Sequence, residues 1–581
     1  MNRMELLKYD IIIIGSGIAG FKAAIHASQA SKDLKIAVIS KLHAMRSHSV
    51  SAEGGVSAVL YGKERNDSYD LHAYDTIKGS DYLADQDAVE ILVKNAPQEI
   101  AFFDHIGVPW NRDEKGIVMQ RPFGGMTIPR TVFAADETGF FMMRALYDET
   151  KSLGNVDIFH EHFVTTLLMK NKEFAGAYAI NLADGSEKIF EAKACIIATG
   201  GFARIYGFTT TAHSSTGDGT ALAYNAGASL KDMEFVQFHP TGLVPNGILI
   251  TEAARGEGGY LRNAKGRRFM EDYAKAKMEL APRDIISRAI ITEIEKGNGI
   301  KHGESDMEHV QLDLTHLDPK KLDERLPMVK DIAMKTIGVD PGKEPLPVRP
   351  AAHFTMGGIN SDNEGRVLDG AEKAMRGLWA AGEAGCVSVH GANRLGSNSL
   401  SECAVWGRIA GEEAAKYAKT QRFADEKILS QLISDEEGRL KSILEKSGDV
   451  NPYELKEQLN RVMDTYFYVY RSTGKMKKGI AQLAKIKKQF YSVRVEDKGR
   501  IYNTNFRDVL ELGNMICLAD IVAQCAANRK ESRGAHAMLE YTKRDDKKWL
   551  KHTIAFKSGD STQLSYSQVR ITRWKPQERK Y

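Results

Sequence analysis

Four consecutive isoleucines, Ile11-Ile12-Ile13-Ile14, follow Tyr9-Asp10 near the start of the chain. A short β-branched apolar run without polar alternation predicts a strand buried on both faces. The glycine-rich Gly15-Ser16-Gly17-Ile18-Ala19-Gly20 comes next. An alanine-rich stretch, 21–30, then predicts a helix, and 34–40 a second apolar strand. The unit is strand, turn, helix, strand, with Gly-x-Gly-x-x-Gly at the turn. Glycines there permit a tight turn and close backbone approach, and the helix N-terminus then faces a pyrophosphate. Two later segments repeat the theme. Residues 194–198 are closed by Thr199-Gly200-Gly201, and Leu378-Trp379-Ala380-Ala381 by Gly382-Glu383-Ala384-Gly385. Three strands ending in glycines predict one nucleotide-binding sheet assembled from distant parts of the chain.

The texture then changes. Between 245 and 350, charged clusters are interrupted by Pro282, Pro319, Pro327, Pro341, Pro345, Pro347 and Pro350, which predicts an inserted α+β domain. Apolar residues recur at helical spacing over 455–463, 476–490 and 506–527. The last stretch contains short alternating runs such as His552-Thr553-Ile554-Ala555-Phe556. The expected fold is α/β. A Rossmann-like nucleotide-binding domain, 1–244 and 351–424, is split around an α+β capping domain, 245–350. A helical domain, 425–540, and a small C-terminal domain, 541–581, follow.

Composition narrows the function. The chain has 581 residues, 43% hydrophobic and 27% charged, which excludes a disordered or low-complexity protein. Eighty Lys and Arg against 76 Asp and Glu leave a net charge of +4, too little to predict a nucleic-acid partner. The five cysteines (Cys195, Cys386, Cys403, Cys517, Cys525) form no C-x-x-C pair, so no zinc or iron–sulfur ligand set is expected in this chain. An odd, sparse set fits a reducing compartment. No apolar run reaches about 18 residues, so no membrane span is expected. Residues 1–10 lead straight into the first strand, leaving no room for a signal peptide. A cytoplasmic protein is expected.

A dinucleotide fold places an acid after the second strand to bind the adenosine ribose. Here Val38-Ile39 is followed by Ser40-Lys41, which argues against NAD. The next loop, Met45-Arg46-Ser47-His48-Ser49-Val50-Ser51-Ala52-Glu53-Gly54-Gly55, is dense in hydroxyls and small residues. Such a loop suits a flat ring. Taken alone, its histidine is more often a surface or hydrogen-bonding group than a ligand.

Arg46-Ser47-His48-Ser49 with Ala52-Glu53-Gly54-Gly55 resembles the flavin-attachment segment of succinate dehydrogenase and fumarate reductase flavoprotein subunits. The likeness continues through Arg121-Pro122-Phe123-Gly124-Gly125, His239-Pro240-Thr241-Gly242, Thr251-Glu252-Ala253-Ala254-Arg255 and Pro282-Arg283-Asp284. It extends to Arg349-Pro350-Ala351-Ala352-His353, His390-Gly391-Ala392-Asn393-Arg394 and Glu531-Ser532-Arg533-Gly534-Ala535-His536, in family order over nearly the whole chain.

The resemblance implies FAD covalently attached at His48. It places Gly15, Ser16, Gly17, Gly20, Ser40, Lys41, Ser47, Ser49, Gly54, Gly55, Asp218, Glu383, Ser399 and Leu400 at that cofactor. For a dicarboxylate it implies Arg394, His239, Thr251, His353 and Phe123 as the binding set. Arg283 becomes the proton shuttle, served by Glu252 and Arg255. Arginine's fork suits a carboxylate, and Glu252 and Arg255 share a face if that stretch is helical. The implied reaction interconverts succinate and fumarate by hydride transfer to or from the flavin.

Electrons would pass to a separate iron–sulfur subunit, and a membrane anchor would hold the assembly on the cytoplasmic side of the cell membrane, with quinone engaged only indirectly. The basic tail (Arg570, Arg573, Lys575, Arg579, Lys580) either meets that partner or is simply solvated. Glu53, the Phe123–Met126 segment and Lys551-His552-Thr553 lean toward the quinol:fumarate reductases. Two alternatives are an L-aspartate oxidase, which lacks the attachment histidine, and a non-catalytic dicarboxylate-binding flavoprotein.

Overall fold

In the computed structural model, which describes residues 4–303, 305 and 307–580, the first strand is Glu5–Ile14. It pairs in parallel with Ile36–Ile39 on one side and Glu187–Ile197 on the other. Ala374–Ala380 extends the parallel run beside Glu187–Ile197, and Val156–Phe159 extends it beside Ile36–Ile39. Ile14 lies opposite both Ile39 and Ile197, and Ala380 opposite Ile197. The three glycine-tipped strand ends therefore stand side by side at the carboxyl edge of one sheet, where such folds bind ligands. The isoleucine run does not alternate because both sheet faces are covered. Ile12 and Ile14 enter one core, Ile11 and Ile13 the other.

The first helix, Ile18–Ala30, begins three residues before the predicted 21, directly out of the glycine turn at Gly17. It lies close against Asn398–Ala418 because glycines stand at the crossing. A Cβ at Gly407 would come within 2.7 Å of the Ala19 carbonyl, and one at Gly411 within 2.4 Å of the Ala23 carbonyl.

Strands Val236–Leu243 and Leu346–Thr355 pair antiparallel and carry the chain into and out of the inserted segment. Glu308–Asp313, Tyr260–Arg262 and Ile300–Lys301 complete that sheet. Helix Arg283–Glu293 packs on it through Ile286, Ala289 and Ile290, in a core that includes Leu243, Leu312 and Val348.

Helices Pro452–Tyr466, Thr473–Phe490 and Thr504–Asn528 follow. The last is long and apolar enough to cross a membrane, but 72% of its most apolar window is buried inside the fold, the mark of a core helix. The sequence shows no unbroken run there because Arg507, Asp508, Glu511 and Asp520 punctuate it. The C-terminal strand Lys551–Ser558 pairs with Leu230–Lys231 and with Ser561–Gln568, joining the tail to strands from the middle of the chain. Part of the expectation about a leader falls on residues 1–3, outside the described residues.

Candidate active site

A cavity of about 860 Å³ opens at the carboxyl edge of the parallel sheet and runs beneath the inserted segment, a size suited to a cofactor and a small ligand. All the cofactor, substrate and catalytic candidates named from sequence border it except Gly20 and Arg255. Gly15 has φ +112°, and a Cβ there would strike the Ala198 carbonyl at 2.2 Å. Gly17 meets only the Ser49 hydroxyl, at 3.0 Å, so its backbone is open to a ligand. Gly20 stands behind the turn, in a packing position. Its side-chain space is filled by the Gly15 carbonyl at 2.0 Å, which lets the helix start hug the turn.

Around this turn the polar groups are ordered. Ser16 Oγ and Ser40 Oγ share a hydrogen bond of 2.7 Å, and Ser49 Oγ accepts the Ile18 N–H at 3.3 Å. Lys41 Nζ donates to Asp218 at 2.6 Å, Glu511 at 2.7 Å and Thr216 at 2.8 Å. Its burial opposes the charge, but the two carboxylates outweigh that and raise its pKa. Glu383 accepts from the Thr355 N–H at 2.9 Å and hydroxyl at 3.2 Å, and burial pushes it up to about 7.

Half-buried His48 accepts the Ala212 N–H at Nδ1, 3.3 Å away. Burial, helped by Arg204, holds it down to about 4, so the imidazole is neutral with its proton assigned to Nε2. A glycine cradle that excludes a Cβ, a shell of hydroxyls and a buried acid fit a flavin dinucleotide.

At the other end, the inserted segment supplies the charge. Thr251 caps the short helix Glu252–Gly256. Glu252 Oε1 accepts the Gly124 N–H at 2.6 Å, and Oε2 accepts Arg283 Nε at 2.7 Å. Arg255 Nη2 stands 3.7 Å from the same Oε2, behind the cavity wall, while Nη1 donates to the Glu279 carbonyl at 2.5 Å. Burial alone would raise Glu252, but Arg283 and Arg255 outweigh it and hold the carboxyl below its ordinary range.

His239 and His353 come from the two paired strands, with ring centroids 4.9 Å apart. Burial and Arg283 keep both far below the usual histidine range, hence neutral. His239 Nδ1 accepts the Thr241 N–H at 3.3 Å, which leaves Nε2–H as its donor. Arg394 donates to Ser399 Oγ at 2.9 Å and lies 4.4 Å from the Phe354 ring, with Nε unpartnered among the described residues. Burial and Arg283 lower it to about 9, still protonated near neutrality. Phe123 packs with Met126 and Leu395 beside Gly54. One carboxylate among three arginines and two neutral imidazole donors makes a site for a small dianion.

Sequence reading missed Glu511, Thr355, Gln237 and Arg204. Gln237 accepts Arg283 Nη1 at 3.1 Å and stands two residues before His239, so its motif was in view. Glu511 lies mid-helix with no local signal. Three arginines of the basic tail are paired within the chain. Arg570 pairs with Asp85 and Asp87, Arg573 with Asp70, and Arg579 with Asp81 and Asp284.

Known proteins are similar to this chain over nearly its whole length. A family profile described as FAD binding domain matches residues 10–400, and one described as fumarate reductase flavoprotein C-term matches 456–581. The fumarate reductase flavoprotein subunit of Proteus vulgaris is 43% identical, with 100% of this chain and 97% of that one covered. The succinate dehydrogenase flavoprotein subunit of Rickettsia bellii is 44% identical, with 97% and 96% covered. A solved variant chain of E. coli quinol fumarate reductase superposes with a TM-score of 0.96 at 42% identity, 99% of each chain covered. The chain therefore belongs to the flavoprotein subunits of the succinate dehydrogenase and fumarate reductase family, which are FAD-dependent oxidoreductases.

Proposed function

We propose that this chain interconverts succinate and fumarate on FAD attached covalently at His48, with Arg283 as the proton shuttle, and passes electrons to an iron–sulfur subunit of a membrane-anchored assembly. The observation that carries the reading is the contact of Arg283 with Glu252 at the wall of the flavin cavity, opposite Arg394 and the two neutral histidines. Bound FAD supplies the hydride exchange, and the chain supplies the rest. Arg394 and the Nε2–H of His239 fit the two carboxylates of the substrate. Neutral donors polarise a carboxylate without adding a charge that would trap the product. In fumarate reduction Arg283 gives a guanidinium proton to the carbon next to the one that receives hydride. Glu252, held on Arg283 Nε, stabilises the change and returns a proton with Arg255 behind it. In succinate oxidation the same groups run in reverse.

An arginine is a poor base because its pKa exceeds about 12. Glu252, hydrogen-bonded to Arg283 Nε at 2.7 Å, offers the relay. A binding-only protein has no need of that relay. Glu53, buried beside Asp136 and pushed well above its ordinary range, belongs to the motif that favours the fumarate-reducing direction.

The test assays purified complex for fumarate reduction and succinate oxidation, and follows flavin fluorescence on a denaturing gel. Turnover of both substrates with a fluorescent band supports the reading. A dark band from fully loaded protein removes the covalent bond, and absence of both activities removes the substrate.

A further inference from the structure

We infer that Arg579, in the C-terminal tail, is a positioning residue for the proton shuttle: it fixes Asp284, the neighbour of Arg283, and so sets where the Arg283 guanidinium stands. The inference rests on the shuttle reading of Arg283.

The tail is strapped across the molecule. Gln86 Oε1 accepts the N–H groups of Thr572, Arg573 and Trp574 at 3.1, 2.8 and 2.9 Å, and its Nε2 donates to the Trp574 carbonyl at 2.6 Å. Arg544 donates to the Gln577 carbonyl at 2.8 Å. Two residues on, Arg579 reaches the inserted segment. Its Nη1 and Nη2 donate to the two oxygens of Asp284 at 2.9 and 3.1 Å.

The Asp284 carboxylate is wholly buried. It also accepts Arg288 Nη2 at 3.0 Å, and Arg288 Nη1 donates to the Gly534 carbonyl at 2.7 Å. Arg579 Nη1 is 3.3 Å from Asp81, which accepts the Gly534 N–H at 2.8 Å and Arg544 at 2.7 Å. The first two turns of the Arg283 helix are thus tied to elements outside the inserted segment.

Asp284 follows Arg283 directly, so the first turn cannot shift without carrying the shuttle with it. A two-pronged charge-assisted pair fixes direction as well as distance. The carboxylate also lies in the first helical turn, where negative charge is favoured. A misplacement of about 1 Å at a reacting group costs about 10²-fold in rate. His239, His353 and Arg394 stand on other elements, so substrate binding depends less on the strap.

The experiment compares Arg579→Gln, Arg579→Lys and Arg283→Gln with wild type in the assembled holoenzyme, measuring kcat and KM for fumarate across pH. Arg579→Gln is expected to lower kcat by about 10- to 100-fold with KM changed less than about three-fold. Asp284, short of its forked partner, then takes up a proton at higher pH, so the acidic limb of the kcat profile moves up. Added guanidinium recovers part of the rate, and Arg579→Lys, which keeps the charge but not the fork, falls in between. An unchanged kcat and pH profile overturns the inference. So does a loss of kcat with no shift of the acidic limb and no recovery by guanidinium, which would mark a merely structural tail. If Arg579→Gln fails to assemble, the limb shift in Arg579→Lys decides. Normal turnover in Arg283→Gln would instead remove the shuttle reading itself.

Discussion

Arg283 Nε lies 2.7 Å from Oε2 of Glu252. The other oxygen of that carboxylate is held by the backbone N–H of Gly124, so an acid from the inserted segment is gripped between its own arginine and a loop of the nucleotide-binding part. The Glu252 carboxylate thus ties the inserted segment to the Gly124 loop through the same group that holds Arg283.

Gly124 is the most exposed weakness of that grip. A Cβ there would come within 2.7 Å of Glu252 Oε1 and 2.8 Å of the Ala281 carbonyl. Gly124→Ala is expected to push Glu252 off Arg283 and lower fumarate turnover by about 10²-fold, with FAD content unchanged. Turnover within two-fold of wild type would show that the contact is not needed.

His48→Ser is expected to keep FAD bound without the covalent bond, since the glycine turn, Glu383 and Ser40 remain. The gel band should go dark. On the proposed attachment, loss of the electron-withdrawing bond would lower the flavin potential, so succinate oxidation should fall further than fumarate reduction. Equal loss in both directions would contradict this.

Arg394→Lys keeps a cation but loses the fork and the stacking on Phe354. It is expected to lower kcat/KM for fumarate by about 10²-fold, read from steady-state rates. A change below three-fold would return Arg394 to an ordinary structural arginine.

His552 predicts a pH effect on stability. Its Nδ1 lies 2.7 Å from Asp232 and its Nε2 3.2 Å from Asp85. Burial works against its charge, but the two carboxylates prevail and raise it to about 9. A histidine raised on folding contributes stability that is fully present below its unfolded pKa of about 6.5 and is lost as pH rises through the folded value. The melting temperature should therefore fall between pH 6.5 and 9, and His552→Gln should flatten that slope. An unchanged slope in the variant would exclude His552 as its source.

The sheet was legible because each of its central strands carries its own punctuation: Ile14 before Gly15, Ile197 shortly before Gly200, Ala380 shortly before Gly382. The residues that border the cavity could be picked out because each sits in a short motif carried by the family resemblance. Contacts made by residues distant in sequence were not. Glu511 meets Lys41 across 470 positions, and nothing around it in the chain announces an ion pair. Gly20 reads as a phosphate-loop glycine, yet its space is taken by the Gly15 carbonyl. The tail reads as loose basic residues, yet Arg579 is buried against Asp284, because its partners lie on segments that only the fold brings near.

The central claim is that Arg283 moves the proton. The most direct measurement is fumarate turnover by the holoenzyme with Arg283→Gln, with dicarboxylate affinity measured on the same sample. The expected result is a rate lower by about 10²–10⁴-fold with fumarate still bound by Arg394, His239 and His353. A variant that reduces fumarate within ten-fold of the wild-type rate would contradict the account.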